Sequence, residues 1–319
     1  MLLDIIQQNN KFDEIHSKLL KDGQIVHGLT NSAKSLILAN LLQRSTVPIV
    51  FIVQNHHEAQ IYYREIQNLS SGKAVYNFLV QEVSPYDQIN SDVSVLNSQY
   101  EIFSSWERNE ISLTIVNVKA LAQLYIDQAL FQKHAFVVSK DLEIDPQNLA
   151  RRLVQLGYSH ETIVENRGQF SQRGDITDIY PIVGDPVRIE FFGDNIEAIK
   201  TMNTGSQRSI KKLESFIVHP RYQIVRTEQD DLEKQVRELA LQYNIEDLTD
   251  QEGLYWEGIE YYRSLLNQGS STVFEYLPKH SHLILDEWQD LINLSISWER
   301  KQDEQYQEGL KSSKLIPIE

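Results

Sequence analysis

The sequence predicts an α/β fold: a RecA-like parallel sheet flanked by helices, with an inserted small α+β domain rich in antiparallel strands. Three observations lead to this prediction. Apolar, β-branched runs at residues 47–53 and 113–118 alternate with helical segments, which is typical of parallel strands buried on both faces. The loop at residues 28–35 has almost the sequence pattern of a phosphate-binding loop. Between residues 168 and 202 the pattern changes to strands joined by short glycine- and aspartate-containing turns.

The individual elements follow from hydrophobic periodicity and from turn residues. In the first third, strands are predicted at residues 25–27, 47–53, 75–79 and 113–118, and helices at residues 35–44, 58–69, 93–108 and from Ala120. The middle gives a helix at residues 147–156 and strands at residues 175–182, 187–192 and 196–202, with turns at 184–186 and 193–195. The last third gives helices at residues 228–243, 256–266 and about 296–311, and a strand at residues 282–285. We therefore expect three segments: residues 1–135 and 223–319 as the halves of the RecA-like domain, and residues 136–222 as the insertion.

Composition restricts the class of protein. The chain has 319 residues, no cysteine and a formal net charge of −15, so disulfides and thiolate zinc sites are excluded. A free-standing DNA-binding domain is usually basic, because it neutralises phosphates. The charge therefore disfavours a DNA-contacting module, and the acidity is greatest in residues 225–319, with 20 acidic and 9 basic residues. No apolar run is long enough for a membrane span, and no signal-peptide pattern begins the chain, so a cytoplasmic location is expected.

The loop from Gly28 to Ser35 has the order of a phosphate-binding loop with its second glycine replaced. In such a loop, successive backbone N–H groups point at the phosphates from the N-terminus of a helix. Lys34 and Ser35 are in place for the β/γ-phosphates and for magnesium. Ala33 adds a methyl group where the cradle is tightest, and an alanine forced to positive φ there costs about 1 kcal/mol or more. The loop is thus either a nucleotide site or the remnant of one.

A second nucleotide-site signal is the apolar strand at residues 282–285, which ends in Asp286 and Glu287. P-loop ATPases present a magnesium-ligating carboxylate and a base for water in this way, although many other buried strands also end in acidic residues. Together with the loop, the strand predicts a RecA-like core with its carboxylates present and its phosphate cradle altered. ATPases of this class also need a second lobe for an arginine finger, and the 32 residues after Glu287 are too few to form one.

The segment Val-Arg-Ile-Glu-Phe-Phe at residues 187–192 carries an interface pattern. Because side chains alternate along a strand, this one has a core-facing set and an outward set: Val187, Ile189 and Phe191 in the first, and Arg188, Glu190 and Phe192 in the second. An outward phenylalanine beside an arginine is typical of protein interfaces. The alternative is that a helix covers that face. Seven of the 14 arginines also fall within residues 151–221, and arginine is enriched at interfaces.

Residues 167–202, RGQFSQRGDITDIYPIVGDPVRIEFFGDNIEAIKTM, resemble the inserted second domain shared by the excision-repair protein UvrB and the N-terminal part of the Mfd family of transcription-repair coupling factors. Residues 84–106 and 115–124 resemble the Mfd side of this family more closely. The resemblance covers essentially the whole chain. Asn31 and Ala33 replace two glycines of the UvrB loop, and the aromatic-rich hairpin with which UvrB grips damaged DNA has no counterpart here.

The resemblance implies a non-catalytic module that recruits UvrA in transcription-coupled nucleotide excision repair. The positions that match UvrA-contacting residues of the family are Arg173, Arg188 and Phe192. The resemblance also implies a vestigial nucleotide site, formed by Gly28, Asn31, Ala33, Lys34, Ser35, Asp286 and Glu287. No catalytic residue, metal ligand or cofactor is expected in this chain.

The resemblance implies that ATP and magnesium are cofactors of the motor of a longer parent protein. That parent would be an ATP-dependent DNA translocase that displaces stalled RNA polymerase, and it would contact polymerase and double-stranded DNA through domains outside this chain. The alternative reading is a RecA-like ATPase half that still binds ATP through Lys34, Ser35, Asp286 and Glu287. The nine histidines form no constellation that suggests another chemistry.

Overall fold

The computed structural model describes residues 25–30, 32–70, 72–80, 92–226, 231–242, 255, 259–266 and 268–311. The α-helices are α1 (Ser32–Arg44), α2 (His56–Leu69), α3 (Val93–Glu107), α4 (Gln128–His134), α5 (Pro146–Gln155), α6 (Leu232–Gln242), α7 (Val273–Tyr276) and α8 (Trp288–Lys311), with 3₁₀ helices at Val118–Ala122 and Ile259–Leu266. The strands are β1 (Ile49–Val53), β2 (Ala74–Phe78), β3 (Ser112–Asn117), β4 (Tyr125–Ile126), β5 (Phe136–Ser139), β6 (Ser159–His160), β7 (Gln169–Arg173), β8 (Ile176–Tyr180), β9 (Val187–Phe192), β10 (Asn195–Asn203), β11 (Arg208–Leu213), β12 (Ser215–Val218), β13 (Ser270–Ser271) and β14 (His282–Leu285).

These elements fall into two compact units. The first, called here the parallel-sheet unit, takes the described residues within 1–80, 101–123 and 272–301. The second, the antiparallel-sheet unit, takes those within 81–100, 124–271 and 302–319. The three-segment division expected from the sequence remains a prediction.

A parallel sheet with the order β14-β1-β3-β2 forms the first unit, as the sequence predicts. Every residue of β1 and β3 is buried, which explains their continuous apolar runs. Helices α1 and α2 pack on this sheet through a core that includes Leu42 and Ile66. Strand β14 is paired with β1 alone among the described strands, and Leu283 and Leu285 on it are about half exposed.

Helix α2 shows how local sequence fixes an element that later carries site residues. Its N-cap is Asn55, whose side chain accepts a hydrogen bond from the backbone N–H of Glu58, so one of the unpaired donors of the first turn is satisfied. Ala59, Tyr62 and Ile66 are buried. Their spacing places them on one face of the helix, toward the sheet.

The second unit is built on a six-stranded sheet with the order β11-β10-β9-β8-β7-β6. Neighbouring strands are antiparallel except for the short parallel pair β6 and β7. The β9–β10 turn contains Gly193 at a φ of +60°, a conformation that glycine adopts without strain. Helix α5 packs on β6 and β7, and a separate antiparallel pair joins β5 to β12. The predicted antiparallel, strand-rich domain is thus confirmed.

Two predictions near the loop are wrong. Residues 25–27 form no strand, and the side chains of Ile25 and Val26 are 70% and 44% exposed. An apolar triplet becomes a strand when a neighbouring strand supplies hydrogen bonds, and the sequence pattern does not reveal that partner. Helix α1 begins at Ser32 rather than at Ser35, so Ala33 lies inside its first turn.

Two further helix predictions are wrong in type or extent. From Ala120 the chain forms the end of a 3₁₀ helix and then strand β4, and an α-helix starts again at Gln128. Helix α8 starts at Trp288, eight residues before the predicted start. The apolar residues Trp288, Leu291 and Ile292 have the i, i+3, i+4 spacing of a helix face. The sequence thus contains a helix pattern from Trp288, but it directly follows the apolar run of β14 and is difficult to distinguish from it.

We predict that Ile115→Ala lowers the free energy of unfolding by about 2–5 kcal/mol, the usual loss for a fully buried Ile. Ile115 is 0% exposed in β3, between β1 and β2. Urea unfolding monitored by circular dichroism measures the change. The matched control is Ile61→Ala in α2, where the side chain is 43% exposed, and we expect a loss below about 1 kcal/mol there. Equal losses in the two variants would contradict the assigned core.

Candidate functional site

Three of the predicted nucleotide-site residues, Lys34, Asp286 and Glu287, come together at the C-terminal end of β14. Lys34, in the first turn of α1, places its Nζ 2.6 Å from Oδ1 of Asp286 and 2.9 Å from Oε1 of Glu287. The side chains of Lys34 and Asp286 are 17% and 8% exposed, whereas that of Glu287 is 58% exposed. The ammonium group is therefore paired with the two carboxylates that a nucleotide site would use for magnesium and water.

The electrostatics of this cluster follow from its geometry. Burial alone would lower the pKa of Lys34, but hydrogen bonds to Asp286 and Glu287 outweigh burial and raise it above its usual range. The same hydrogen bond from Lys34, aided by its charge, lowers the pKa of Glu287. Tyr62 of α2 donates from its hydroxyl to Oδ2 of Asp286 at 3.1 Å, and burial followed by the Asp286 charge raises the pKa of this tyrosine. Both oxygens of Asp286 are thus occupied by donors.

Glu287 reaches Lys34 from a strained backbone position. Its φ is +46°, in the left-handed region that costs a non-glycine residue about 1 kcal/mol or more. The backbone N–H of Asp286 still donates to the carbonyl of Ile52, so the sheet ladder continues up to this point. The carbonyl of Glu287 then accepts from the N–H groups of Asp290 and Leu291 and starts α8. The left-handed residue is therefore the joint between strand and helix.

The other loop residues are also bonded within the chain. The Ser35 hydroxyl is fully buried and donates to Oε2 of Glu65 in α2 at 2.5 Å, and Ser32 donates to Oε1 of the same carboxylate at 2.9 Å. The N–H of Ala33 donates to the carbonyl of Thr30 at 3.0 Å. Ala33 is helical, so the positive φ considered for it from the sequence does not occur.

At the remaining two loop positions, Gly28 has a φ of +81°, with nothing within 4 Å of the place where a Cβ would lie. Asn31 lies outside the described residues. The cluster as a whole is an internal salt bridge with a serine–carboxylate contact beside it. No group of three or more His, Asp or Glu side chains suited to a metal ion occurs in the described part of the chain.

The second candidate site is the outer face, defined as the face of the six-stranded sheet that carries Arg173, Arg188 and Phe192. The period-two pattern of β9 is observed: Val187, Ile189 and Phe191 are buried, and Phe192 is 79% exposed. Strand register brings β8 and β9 together, with Asp178 opposite Arg188. Arg173 pairs with Ile176, and Ile176 in turn lies opposite Glu190.

Asp178 connects the two arginines of this face. Arg188 donates from Nε to Oδ1 at 2.7 Å and from Nη2 to Oδ2 at 2.8 Å, which is a bidentate contact. Arg173 donates from Nη2 to Oδ2 of the same carboxylate at 3.1 Å. The Asp178 side chain is 1% exposed, while the Arg188 and Arg173 side chains are 16% and 52% exposed. One carboxylate faces two guanidinium groups, so this cluster has one uncompensated positive charge.

The two arginines differ in what they can still offer. Arg188 also donates from Nη1 to the carbonyl of Gln207 at 3.1 Å, and the hydrogen bond to Asp178 raises its pKa. Arg188 is therefore held on both sides of its guanidinium group. Arg173 makes one hydrogen bond to the described residues and keeps its remaining N–H groups available. Nearby, Lys200 of β10 is neutralised by Glu190 at 2.5 Å.

Sequence reasoning missed three residues that organise these sites: Tyr62, Glu65 and Asp178. Tyr62 and Glu65 are three residues apart on α2 and thus share a helix face, but no pattern indicates that this face reaches α1 and Asp286. Asp178 had a usable signal. It lies between Thr177 and Ile179 in β8, so the period of two along a strand predicts that its side chain points to the face opposite theirs. Only the register shows that Arg188 lies opposite Asp178.

We predict that Lys34→Met lowers the free energy of unfolding by about 1–3 kcal/mol, because Asp286 loses its buried ionic partner. The Lys34 pKa is raised on folding, so this contribution is complete below the unfolded pKa of about 10.4 and is lost as pH rises through the folded value. On the acid side, the Glu287 part is present above about pH 4.3 and is lost as pH falls through the lowered pKa of Glu287.

Urea unfolding of Lys34→Met and of the parent chain between pH 3 and 11 measures the difference at neutral pH and the onset of the alkaline loss. The matched control is Lys301→Met, at an exposed position of α8, for which we expect a change below about 0.5 kcal/mol. A Lys34→Met chain as stable as the parent at neutral pH would contradict the role assigned to the ion pair.

Comparison with known proteins finds one family model and several similar full-length proteins. Residues 136–223 match the family model of the UvrB interaction domain. The transcription-repair-coupling factor of Bacillus subtilis is 25% identical in an alignment that covers 98% of this chain and 28% of that protein. The corresponding factor of Myxococcus xanthus is 29% identical over 81% of this chain and 23% of its own length. That of Staphylococcus haemolyticus is 27% identical over 68% of this chain and 19% of its own.

The chain thus spans less than a third of the length of these curated relatives. No helix in the described ranges is long and apolar enough to cross a membrane. The family match covers the strands of the antiparallel-sheet unit that carry the outer face, and the longest alignment covers the loop and Asp286 as well. On this evidence the chain is similar to transcription-repair-coupling factors over most of its length, and its residues 136–223 match the UvrB interaction domain.

Proposed function

We propose that this chain is a protein-interaction module that recruits UvrA in transcription-coupled nucleotide excision repair, through the outer face of its UvrB interaction domain. The observation that carries the proposal is Phe192, a large aromatic side chain 79% exposed at the end of β9. Aromatic and arginine side chains are enriched in protein interfaces and supply much of their binding energy. Arg173 lies on the same face with a half-exposed guanidinium group.

The proposal includes the organisation of the whole chain. Residues 1–135 and 223–319 would be the two halves of a RecA-like scaffold, and residues 136–222 the inserted partner-binding domain. The longer parent would be an ATP-dependent DNA translocase that displaces stalled RNA polymerase, with polymerase and double-stranded DNA bound outside this chain. The similarity to transcription-repair-coupling factors supports this part of the proposal, and we propose a cytoplasmic location with it.

We further propose that the chain is not itself an ATPase. Lys34 and Ser35, the residues that would hold phosphate and magnesium, are bonded to Asp286, Glu287 and Glu65. A nucleotide would have to break a salt bridge that is less than one-fifth exposed at Lys34 and Asp286. The charge-assisted hydrogen bonds of such a pair are about twice as strong as neutral ones.

A second candidate function is a residual ATP site. One observation favours it: the Nζ of Lys34 lies within hydrogen-bond distance of both Asp286 and Glu287, so these three side chains that an ATP site would use are already collected. The salt bridge would then be the unliganded form of the site.

For the partner, we expect Phe192→Ala to weaken UvrA capture by about 1–3 kcal/mol, typical of an interface anchor. Calorimetric titration of UvrA with the parent and variant chains measures the difference. Val154→Ala is the matched control, because Val154 is a 46%-exposed apolar residue of α5 in the same unit, and its affinity should equal the parent's. If Phe192→Ala binds UvrA as tightly as the parent, the outer face is not the recruiting surface.

For the nucleotide, we expect calorimetry with Mg-ATP to give no binding in the micromolar range, because the phosphate-binding groups are internally paired. The Lys34→Met chain serves as the control for any heat that does not come from this site. Micromolar binding by the parent that disappears in Lys34→Met would favour the residual ATP site instead.

A further inference from the structure

We propose that Asp178 is the positioning residue of the partner surface, and that the surface so prepared binds a carboxylate of the partner through Arg173. This inference rests on the proposed function, since it concerns the same outer face. It assigns different tasks to the two arginines: Arg188 holds the arrangement together, and Arg173 makes the ionic contact. Phe192 supplies the apolar contact beside them.

Asp178 does not touch a bound partner itself, so it can affect binding only through the residues that it positions. Its side chain is 1% exposed, so a bound protein does not reach it directly. Its two carboxylate oxygens accept three hydrogen bonds, two from Arg188 and one from Arg173. The residue thus joins β7, β8 and β9 at the point where both arginines leave the sheet.

Arg188 is poorly placed to contact a partner. Its side chain is 16% exposed, its Nε and Nη2 donate to Asp178, and its Nη1 donates to the Gln207 carbonyl. A side chain held at three nitrogens has lost its conformational freedom before binding, which suits a residue that supports its neighbours. Few N–H groups of Arg188 remain for a new bidentate contact.

Arg173 has the opposite properties. Its side chain is 52% exposed and is tethered at one nitrogen, by a 3.1 Å hydrogen bond to Asp178. The tether limits the directions in which the guanidinium group points while its other donors stay open. Asp178 is already neutralised by Arg188, so the charge of Arg173 is not fully compensated. A planar cation in this state fits a carboxylate, which it binds with two parallel hydrogen bonds.

The test is UvrA binding by Asp178→Asn, which keeps the size of the side chain and removes its charge. We expect affinity to fall about tenfold, the size of one charge-assisted hydrogen bond. The matched control is Ile179→Val, the next residue of β8, which is 0% exposed on the core side. That variant also loses thermal stability, but its UvrA affinity should equal the parent's.

Non-additivity separates positioning from general destabilisation. If Asp178 acts through Arg173, then Asp178→Asn in an Arg173→Ala background should weaken binding by less than about twofold further. Additive losses would overturn the inference. Arg173→Lys leaves the bidentate contact between Arg188 and Asp178 in place: it keeps the charge at residue 173, loses the planar fork and should bind about fivefold more weakly. Parent-like affinity of Arg173→Lys would overturn the assignment of a carboxylate to this position.

The outcomes also distinguish this inference from the proposed function. If Phe192→Ala weakens UvrA binding and Asp178→Asn does not, the recruiting surface stands and the positioning role fails. If neither Phe192→Ala nor Arg173→Ala changes the affinity, the outer face does not bind UvrA and both proposals fail.

Discussion

The salt bridge of Lys34 with Asp286 and Glu287 determines what the parallel-sheet unit can do. It joins the first turn of α1 to the end of β14, and Tyr62 completes the shell around Asp286. The ammonium group is hydrogen-bonded to both carboxylates, so its positive charge offsets part of their negative charge. We propose that a site satisfied in this way contributes mainly to stability, and that the loop is a structural joint of a scaffold.

A buried carboxylate organises the antiparallel-sheet unit as well, with a different consequence. Asp178 meets two guanidinium groups where Asp286 meets one ammonium group. The surplus cation is half exposed and lies on the face that also exposes Phe192. The same chemistry that closes one site thus leaves a pre-arranged, positively charged surface at the other. An overall charge of −15 is compatible with this, because recognition depends on the local arrangement of charge.

Much of this could be predicted from sequence where the signal is local. The apolar run that became β1, the alternation of residues 187–192 and the turn at Gly193 each reflect the chemistry of a few adjacent residues. Predictions failed where a distant partner decides. Residues 25–27 look like a strand but have none of the required hydrogen-bond partners among the described strands, and the start of α1 at Ser32 depends on its contact with Glu65 of α2. The contacts of Asp178 with Arg173 and Arg188 depend on how β7, β8 and β9 are aligned with one another, and the sequence of a single strand does not specify that alignment.

We propose that partner binding occurs on the outer face and that the loop is closed to nucleotide. Hydrogen–deuterium exchange of the chain alone, with UvrA and with Mg-ATP tests both halves in one experiment. We predict slower exchange with UvrA in β9 and in the turn at Gly193, and unchanged exchange with Mg-ATP at Gly28 and in the first turn of α1. Protection of that turn by Mg-ATP, or no protection of the β9–β10 hairpin by UvrA, would contradict the account.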